Sequence, residues 1–392
     1  MNSSKKPKVV LTYNDDTYLL RFKGSLIREL IASDHQVYAV CPLGPSVLKI
    51  QELGATFVEW KVARSSSNLF EECRSIISLY KIYKHIKPDL VHHFTIKPNL
   101  YGSIAAKLAK VPVCFASING LGFSFLEKSI KGSILRTFVL NLYRISFNLC
   151  NRVLFQNQED ISFFVDHNII PREKAHLIEG GSGVNISEYK PCVFNKTQID
   201  HLRHSLQIRE NAIIIILICR MLKHKGIYEL IESIRILDDR NTTFLFVGPI
   251  DKGNPAAISL EELTLWQQQG LIKYCGERDD IPELISLADI AILPSYREGY
   301  PRVLLEASSI GKPMVATNVP GCKDVVDHGS TGLLVPLNNP HKMADAIKYL
   351  IDSPDLRKQM GIAARNKAVT TFDERKVVKQ ILTIYMSYIN PA

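Results

Sequence analysis

Residues 297–307 read REGYPRVLLEA and carry the sharpest chemical signal in the chain. They follow the apolar run ADIAILP, so a strand leads through a Gly-Pro turn into a helical pattern starting near Pro301. Open parallel sheets bind ligands at the carboxyl ends of their strands, and a helix N-terminus at that place offers amides to an anion. The main chain around Gly299, Tyr300 and Pro301 can therefore hold a diphosphate without a metal. Glu298 and Glu306 stand eight residues apart, about 9 to 12 Å along one helix face. Such a pair can grip two hydroxyl groups at opposite ends of one ligand. A purely structural account makes Glu298 a capping acid and Glu306 an exposed helix residue.

A second group lies at RMLKHKG, residues 220–226, directly after the strand-like AIIIILICR. Arg220 offers a bidentate phosphate clamp and Lys225 a point charge, and two fixed cations can stabilise charge developing on a departing diphosphate. GGSGVN at 180–185 and CGERDDIPEL at 275–284 add Gly183 and Arg278 as further candidates on the same side. The first lacks the GxGxxG spacing of a dinucleotide site, and turn chemistry explains either alone. In the first half, VHHFTIKPN follows Asp89-Leu90 and puts His93, Lys97 and Asn99 near a strand end. Adjacent histidines on a strand face opposite sides, so only one of His92 and His93 points into a given site. NGLGF, residues 119–123, follows the strand VCFASI, where Asn119, Gly120 and Gly122 permit close approach of backbone to ligand.

The elements that position these residues read as alternating β-branched runs and amphipathic segments, the pattern of an α/β fold with parallel sheets. Expected strands in the first half are 8–13, 36–41, 56–58, 90–94, 113–116 and 152–155. A second series runs through AIIIILICR, TFLFVG, LIKYCG, ADIAILP, KPMVAT and GLLVP, each apolar enough to be buried on both faces. At 392 residues two domains are expected. The polar stretch from Asn185 to Ile208 suits a linker, so the domains are drawn as 1–190 and 191–375, with a C-terminal helix at 376–392 returning to the first.

Charge is uneven: 24 basic against 16 acidic side chains in residues 1–190, and 24 against 23 in the remainder. A basic first half attracts phosphate-bearing partners. The basic residues are not interleaved with an aromatic platform, which argues against nucleic acid. Residues 125–150 combine an apolar majority with Lys128, Lys131, Arg136 and Arg144, a composition that suits an anionic membrane surface or a core helix with a solvated basic face. Eight well-separated cysteines, no apolar stretch of signal-peptide length and no run of 18 apolar residues suggest a reduced, cytoplasmic protein that does not span a membrane.

Together these residues resemble glycosyltransferase family 4. The resemblance implies a GT-B fold, with two Rossmann-like domains facing across a cleft, and retention of anomeric configuration. It also implies that Glu298 contacts the transferred sugar, Glu306 the ribose hydroxyls, and Arg220 and Lys225 the donor diphosphate. The subset that carries HHFTIKPNLYG and GLG builds bacterial lipid-linked oligosaccharides or O-antigen units. It implies a polyprenyl-diphosphate-linked saccharide as acceptor and a UDP-hexose or UDP-N-acetylhexosamine as donor, UDP-N-acetylgalactosamine first among them. No cofactor and no divalent metal is expected, because cations and amides take the metal's role and no DxD triplet occurs. The protein is expected on the inner face of the cytoplasmic membrane. One departure is that many members place a His where this chain has Asn119 and Gly120. A nucleotide-sugar 2-epimerase of similar fold and a catalytically silent sugar-nucleotide or membrane-binding module are the alternatives.

Overall fold

The structure, a computed structural model, describes residues 6–62, 69–120, 130–191 and 194–389, with backbone alone for Leu69 and residues 130–135. The chain folds as two compact units, residues 1–181 with 375–392, and residues 182–374. In the first unit the strands are β1 (Lys8–Thr12), β2 (Gln36–Cys41), β3 (Thr56–Glu59), β4 (Leu90–Phe94), β5 (Val113–Ile118), β6 (Arg152–Phe155) and β7 (Ala175–Leu177). In the second they are β8 (Ile213–Ile218), β9 (Thr242–Val247), β10 (Lys273–Tyr274), β11 (Ile290–Leu293), β12 (Met314–Thr317) and β13 (Gly332–Val335).

Every strand pair is parallel. The first sheet runs β3-β2-β1-β4-β5-β6-β7 and the second β10-β9-β8-β11-β12-β13. The order therefore reverses between β1 and β4 and between β8 and β11, the points where such sheets open a crevice at their carboxyl ends. Four consecutive residues of the β-branched run IIIILI of β8 are buried, so both faces of this strand are covered, as parallel sheets require. On β1 the alternation separates Val9 and Leu11, in one core cluster, from Val10, in the cluster on the opposite face.

Strand β7 is one element the sequence pattern missed; three residues, AHL, at a sheet edge are too short to display a period. The expected linker also contains structure. Residues 196–205 form a helix whose Asn195 and Gln198 make a reciprocal capping box. The division falls at Gly181/Ser182, ahead of residue 190, because the intervening residues pack into the second unit. Val184 N–H donates to Phe372 O at 2.8 Å, and the Arg365 guanidinium donates to the carbonyls of Ile186 and Tyr189 at 3.1 and 3.0 Å. The helix Glu374–Ile389 buries Val377, Val378, Ile381 and Tyr385 in the core of the first unit. Its Tyr385 hydroxyl bonds His92 Nδ1, and His92 Nε2 bonds Ser117 Oγ at 2.7 Å. No helix among the described residues is long and apolar enough to cross a membrane.

Candidate active site

Beyond β8 the chain passes Cys219 and Arg220 into one turn of 3-10 helix, Lys223–Lys225. Gly226 ends that turn at φ +74, and a Cβ on it would stand 2.0 Å from the carbonyl oxygen of Pro294 at the exit of β11. Only glycine accepts both the left-handed backbone and this approach. The loops after β8 and β11 are thereby seated on each other, and Tyr296 N–H donates to His224 O at 3.0 Å. Lys225 Nζ then donates to Glu298 Oε1 at 2.5 Å, with side-chain exposures of only 17% and 13%. From the other side Glu298 N–H donates to Pro320 O at 3.2 Å. Gly321, at φ +83, lets that loop close in: a Cβ there would meet the Glu298 carbonyl oxygen at 2.6 Å.

Burial pulls the Lys225 ammonium down, but the Glu298 carboxylate, with Cys219, outweighs it, and the net shift is upward. Burial first, and Lys225 second, depress His224 to about 4, so it stands neutral beside the pair at neutral pH. Arg220 is half exposed, at 49%, and its Nη1 donates to Asp251 Oδ2 at 2.8 Å in the loop after β9. Its charge still depresses both Lys225 and His224, which puts three cationic or imidazole groups within one another's fields.

Helix Arg302–Ile310 begins four residues after Glu298, with Pro301 as an extended N-cap and no side-chain cap bond. Its positive end therefore lies beside the Lys225–Glu298 pair in sequence. Glu306 is 1% exposed, with Oε1 accepting from Arg302 Nε at 3.0 Å, so it is not an exposed helix residue. Tyr300 donates its hydroxyl to Asp324 O at 3.4 Å and meets Phe372 edge-on, while Gly299 precedes it in the turn. Arg278 is engaged by its neighbour, with Nε donating to Asp280 Oδ1 at 2.7 Å and Nη2 to Oδ2. Gly183, at φ +70, has a packing reason of its own: a Cβ would meet Glu374 Cα at 2.6 Å.

In the first unit the expected set divides. His93 is fully buried, its Nε2 bonding Tyr83 OH at 3.0 Å, and a Cβ on Gly102 would collide with its ring at 2.3 Å. Burial lowers it to about 3, so it is a neutral core residue and not a surface an acceptor reaches. Asn99 is equally buried, with Nδ2 donating to Ser117 O at 2.8 Å. Lys97 is largely covered and donates to Glu72 Oε1 at 2.7 Å. The partly exposed polar groups at the carboxyl ends of β1, β4, β5 and β6 are instead Asn14, Thr95, Asn119 and Gln156. Thr95 Oγ1 donates to Asn14 Oδ1 at 2.8 Å, and Gln156 Nε2 donates to Asn119 Oδ1 at 3.2 Å. Gly120 follows at φ +122; Gly122 lies outside the described residues. Of the basic segment 125–150, the side chains of Lys128 and Lys131 also lie outside. Arg144 is spent on the carbonyls of His167 and Asn168, and Phe138 and Ile145 are exposed two turns apart.

Residues 198–367 match the Glycosyl transferases group 1 family and residues 8–157 the Glycosyl transferase 4-like family. The chain is a glycosyltransferase with a 4-like domain followed by a group 1 domain. Its relatives include the N,N'-diacetylbacillosaminyl-diphospho-undecaprenol alpha-1,3-N-acetylgalactosaminyltransferase of Campylobacter jejuni, 29% identical over 94% of this chain and 95% of that one. Another is the UDP-Gal:alpha-D-GlcNAc-diphosphoundecaprenol alpha-1,3-galactosyltransferase of Escherichia coli, 27% identical over 82% of this chain and 81% of that one. Among solved structures, Anabaena HepE in complex with UDP and glucose superposes with a TM-score of 0.80 at 20% identity, over 97% of this chain and all of that one. The fold is GT-B.

Within this glycosyltransferase, motif reading found Lys225 and Glu298 but not what holds them. Gly226 was legible as the last letter of RMLKHKG, though its collision partner Pro294 was not. Gly321, in PGC after the strand KPMVAT, carried only a generic turn signal. Thr95 stands inside VHHFTIKPN but was not singled out there, and Gln156 belongs to no motif; adjacency of strand ends in the sheet brings Thr95 to Asn14 and Gln156 to Asn119.

Proposed function

We propose that this transferase moves a hexose or N-acetylhexosamine, N-acetylgalactosamine first among candidates, from a UDP-sugar to a polyprenyl-diphosphate-linked saccharide, with retention and without a divalent metal. The observation that carries the reading is the Lys225–Glu298 pair, 2.5 Å apart beyond the carboxyl ends of β8 and β11, with Glu298 four residues before a helix N-terminus. Lys225, Arg220 and the positive end of helix Arg302–Ile310 supply the charge that stabilises a leaving diphosphate. Glu298 faces the transferred sugar and Glu306 the ribose. The bond between the anomeric carbon and the diphosphate oxygen breaks, the acceptor hydroxyl attacks on the same face, and its proton passes to a diphosphate oxygen. The Campylobacter relative, matched along nearly its whole length, supports the choice of sugar and of acceptor class. Such an acceptor puts the protein against the inner face of the cytoplasmic membrane, where the exposed Phe138 and Ile145 fit a peripheral contact.

The test is to incubate the purified chain with a panel of UDP-sugars and short polyprenyl-diphosphate saccharides, in EDTA and in magnesium. Mass spectrometry reads the product and NMR the anomeric configuration. An α-linked N-acetylhexosamine product formed equally in EDTA is expected. Inversion, or loss in EDTA reversed by magnesium, would overturn the corresponding part, and donor turnover without acceptor would point to an epimerase.

A further inference from the structure

Arg302 occupies the first turn of helix Arg302–Ile310, a turn that holds no acidic residue. A cation there opposes the positive end of the helix dipole, at a cost of some tenths of a kcal/mol to about 1 kcal/mol. One turn further in, Glu306 is 1% exposed on a helix whose residues from Leu304 to Ile310 are all buried. A carboxylate taken out of water needs a charged partner held in fixed geometry. The two anomalies answer each other: Arg302 Nε donates to Glu306 Oε1 at 3.0 Å, and the Arg302 side chain is itself only 14% exposed. The planar guanidinium fixes the orientation of a carboxylate in a way a lysine's point charge does not.

We infer that Arg302 is a positioning residue for nucleotide recognition: it holds the Glu306 carboxylate turned so that it can accept the donor's ribose hydroxyls. The inference rests on the proposed role of Glu306 and adds the group that keeps Glu306 competent. Its signature differs from that of a phosphate contact. Loss of Arg302 removes the preference for a nucleotide with ribose hydroxyls, whereas loss of a phosphate contact weakens all uridine diphosphates alike.

The experiment titrates the full chain calorimetrically with UDP and with 2′,3′-dideoxy-UDP. Wild type is expected to prefer UDP by about tenfold or more, as hydrogen bonds to a charged acceptor allow. In Arg302→Met the preference is expected to fall to within about twofold, matching Glu306→Gln, with the melting temperature recorded for each. Should the Met variant fail to fold, Arg302→Gln keeps a donor without the charge and is expected to lower the preference to about threefold or less. A variant at Arg302 that keeps the tenfold preference while Glu306→Gln loses it overturns the inference and leaves the ribose role of Glu306 standing. Equal weakening of both nucleotides makes Arg302 a diphosphate contact and overturns it too. If wild type itself shows no preference, the ribose reading falls and takes this inference with it.

Discussion

Lys225 and Glu298 are 73 positions apart in sequence and 2.5 Å apart in space. Neither is exposed enough for the pair to be an ordinary surface ion pair, whose worth is near zero. The carboxylate keeps the ammonium protonated despite burial, so the cation is in place before any ligand arrives. Pre-placed charge of this kind lowers a barrier because no reorganisation is needed at the moment of reaction. Lys225→Ala is therefore expected to lower turnover by about 10²-fold or more, and Arg220→Ala by a comparable factor, since losing one donor to a developing oxyanion has that effect. Initial-rate kinetics with a saturating donor check this, and near wild-type turnover in both variants would remove them from the diphosphate site. The motifs RMLKHKG and REGYPRVLLEA singled out each residue as a candidate, but not their pairing. The burial of Glu306 and its Arg302 partner were not legible, because a helix's buried face depends on what packs over it.

At the scale of elements, glycines set the distances. The turn after β8 rests on the exit of β11 with a clearance that admits no side-chain atom, 2.0 Å from the place of a Cβ on Gly226 to the Pro294 oxygen. Gly226→Ala must move that turn, and it must also force alanine into φ +74. The expected cost is about 2 kcal/mol or more in stability, together with loss of donor affinity as Lys225 leaves Glu298. Thermal melts and nucleotide titration read the two effects; an alanine variant with wild-type values in both would contradict the seating described. The first unit repeats the lesson with a different outcome. HHFTIKPN promised a polar strand end, but the helical turn ending at Gly102 packs on the His93 ring and leaves it in the core, and the Asn99 amide donates to the Ser117 carbonyl.

At the scale of the whole molecule, the last helix belongs to the first unit although it follows the second in sequence. Val377, Val378, Ile381 and Tyr385 fill that unit's core, each worth about 1.5–3 kcal/mol of burial. Four such side chains are comparable with the entire stability of a domain, about 5–15 kcal/mol. A chain ending at residue 374 is expected to lose the cooperative melt of the first unit and to aggregate, as calorimetry and light scattering would record. A soluble truncated chain with unchanged transitions would show that the helix is dispensable.

The sequence by itself determined the parallel strands, because their β-branched runs are apolar on both faces, and it placed the candidate residues of the second unit, because they sit within short loops that follow strands. Only the tertiary structure decided which strand ends are neighbours, and hence that Lys225 meets Glu298 and Thr95 meets Asn14. Strand order, the close approach of backbones at Gly226 and Gly321, and the burial of His93 and Glu306 are consequences of long-range packing, and the local periodicity of a chain carries no record of what lies across from it.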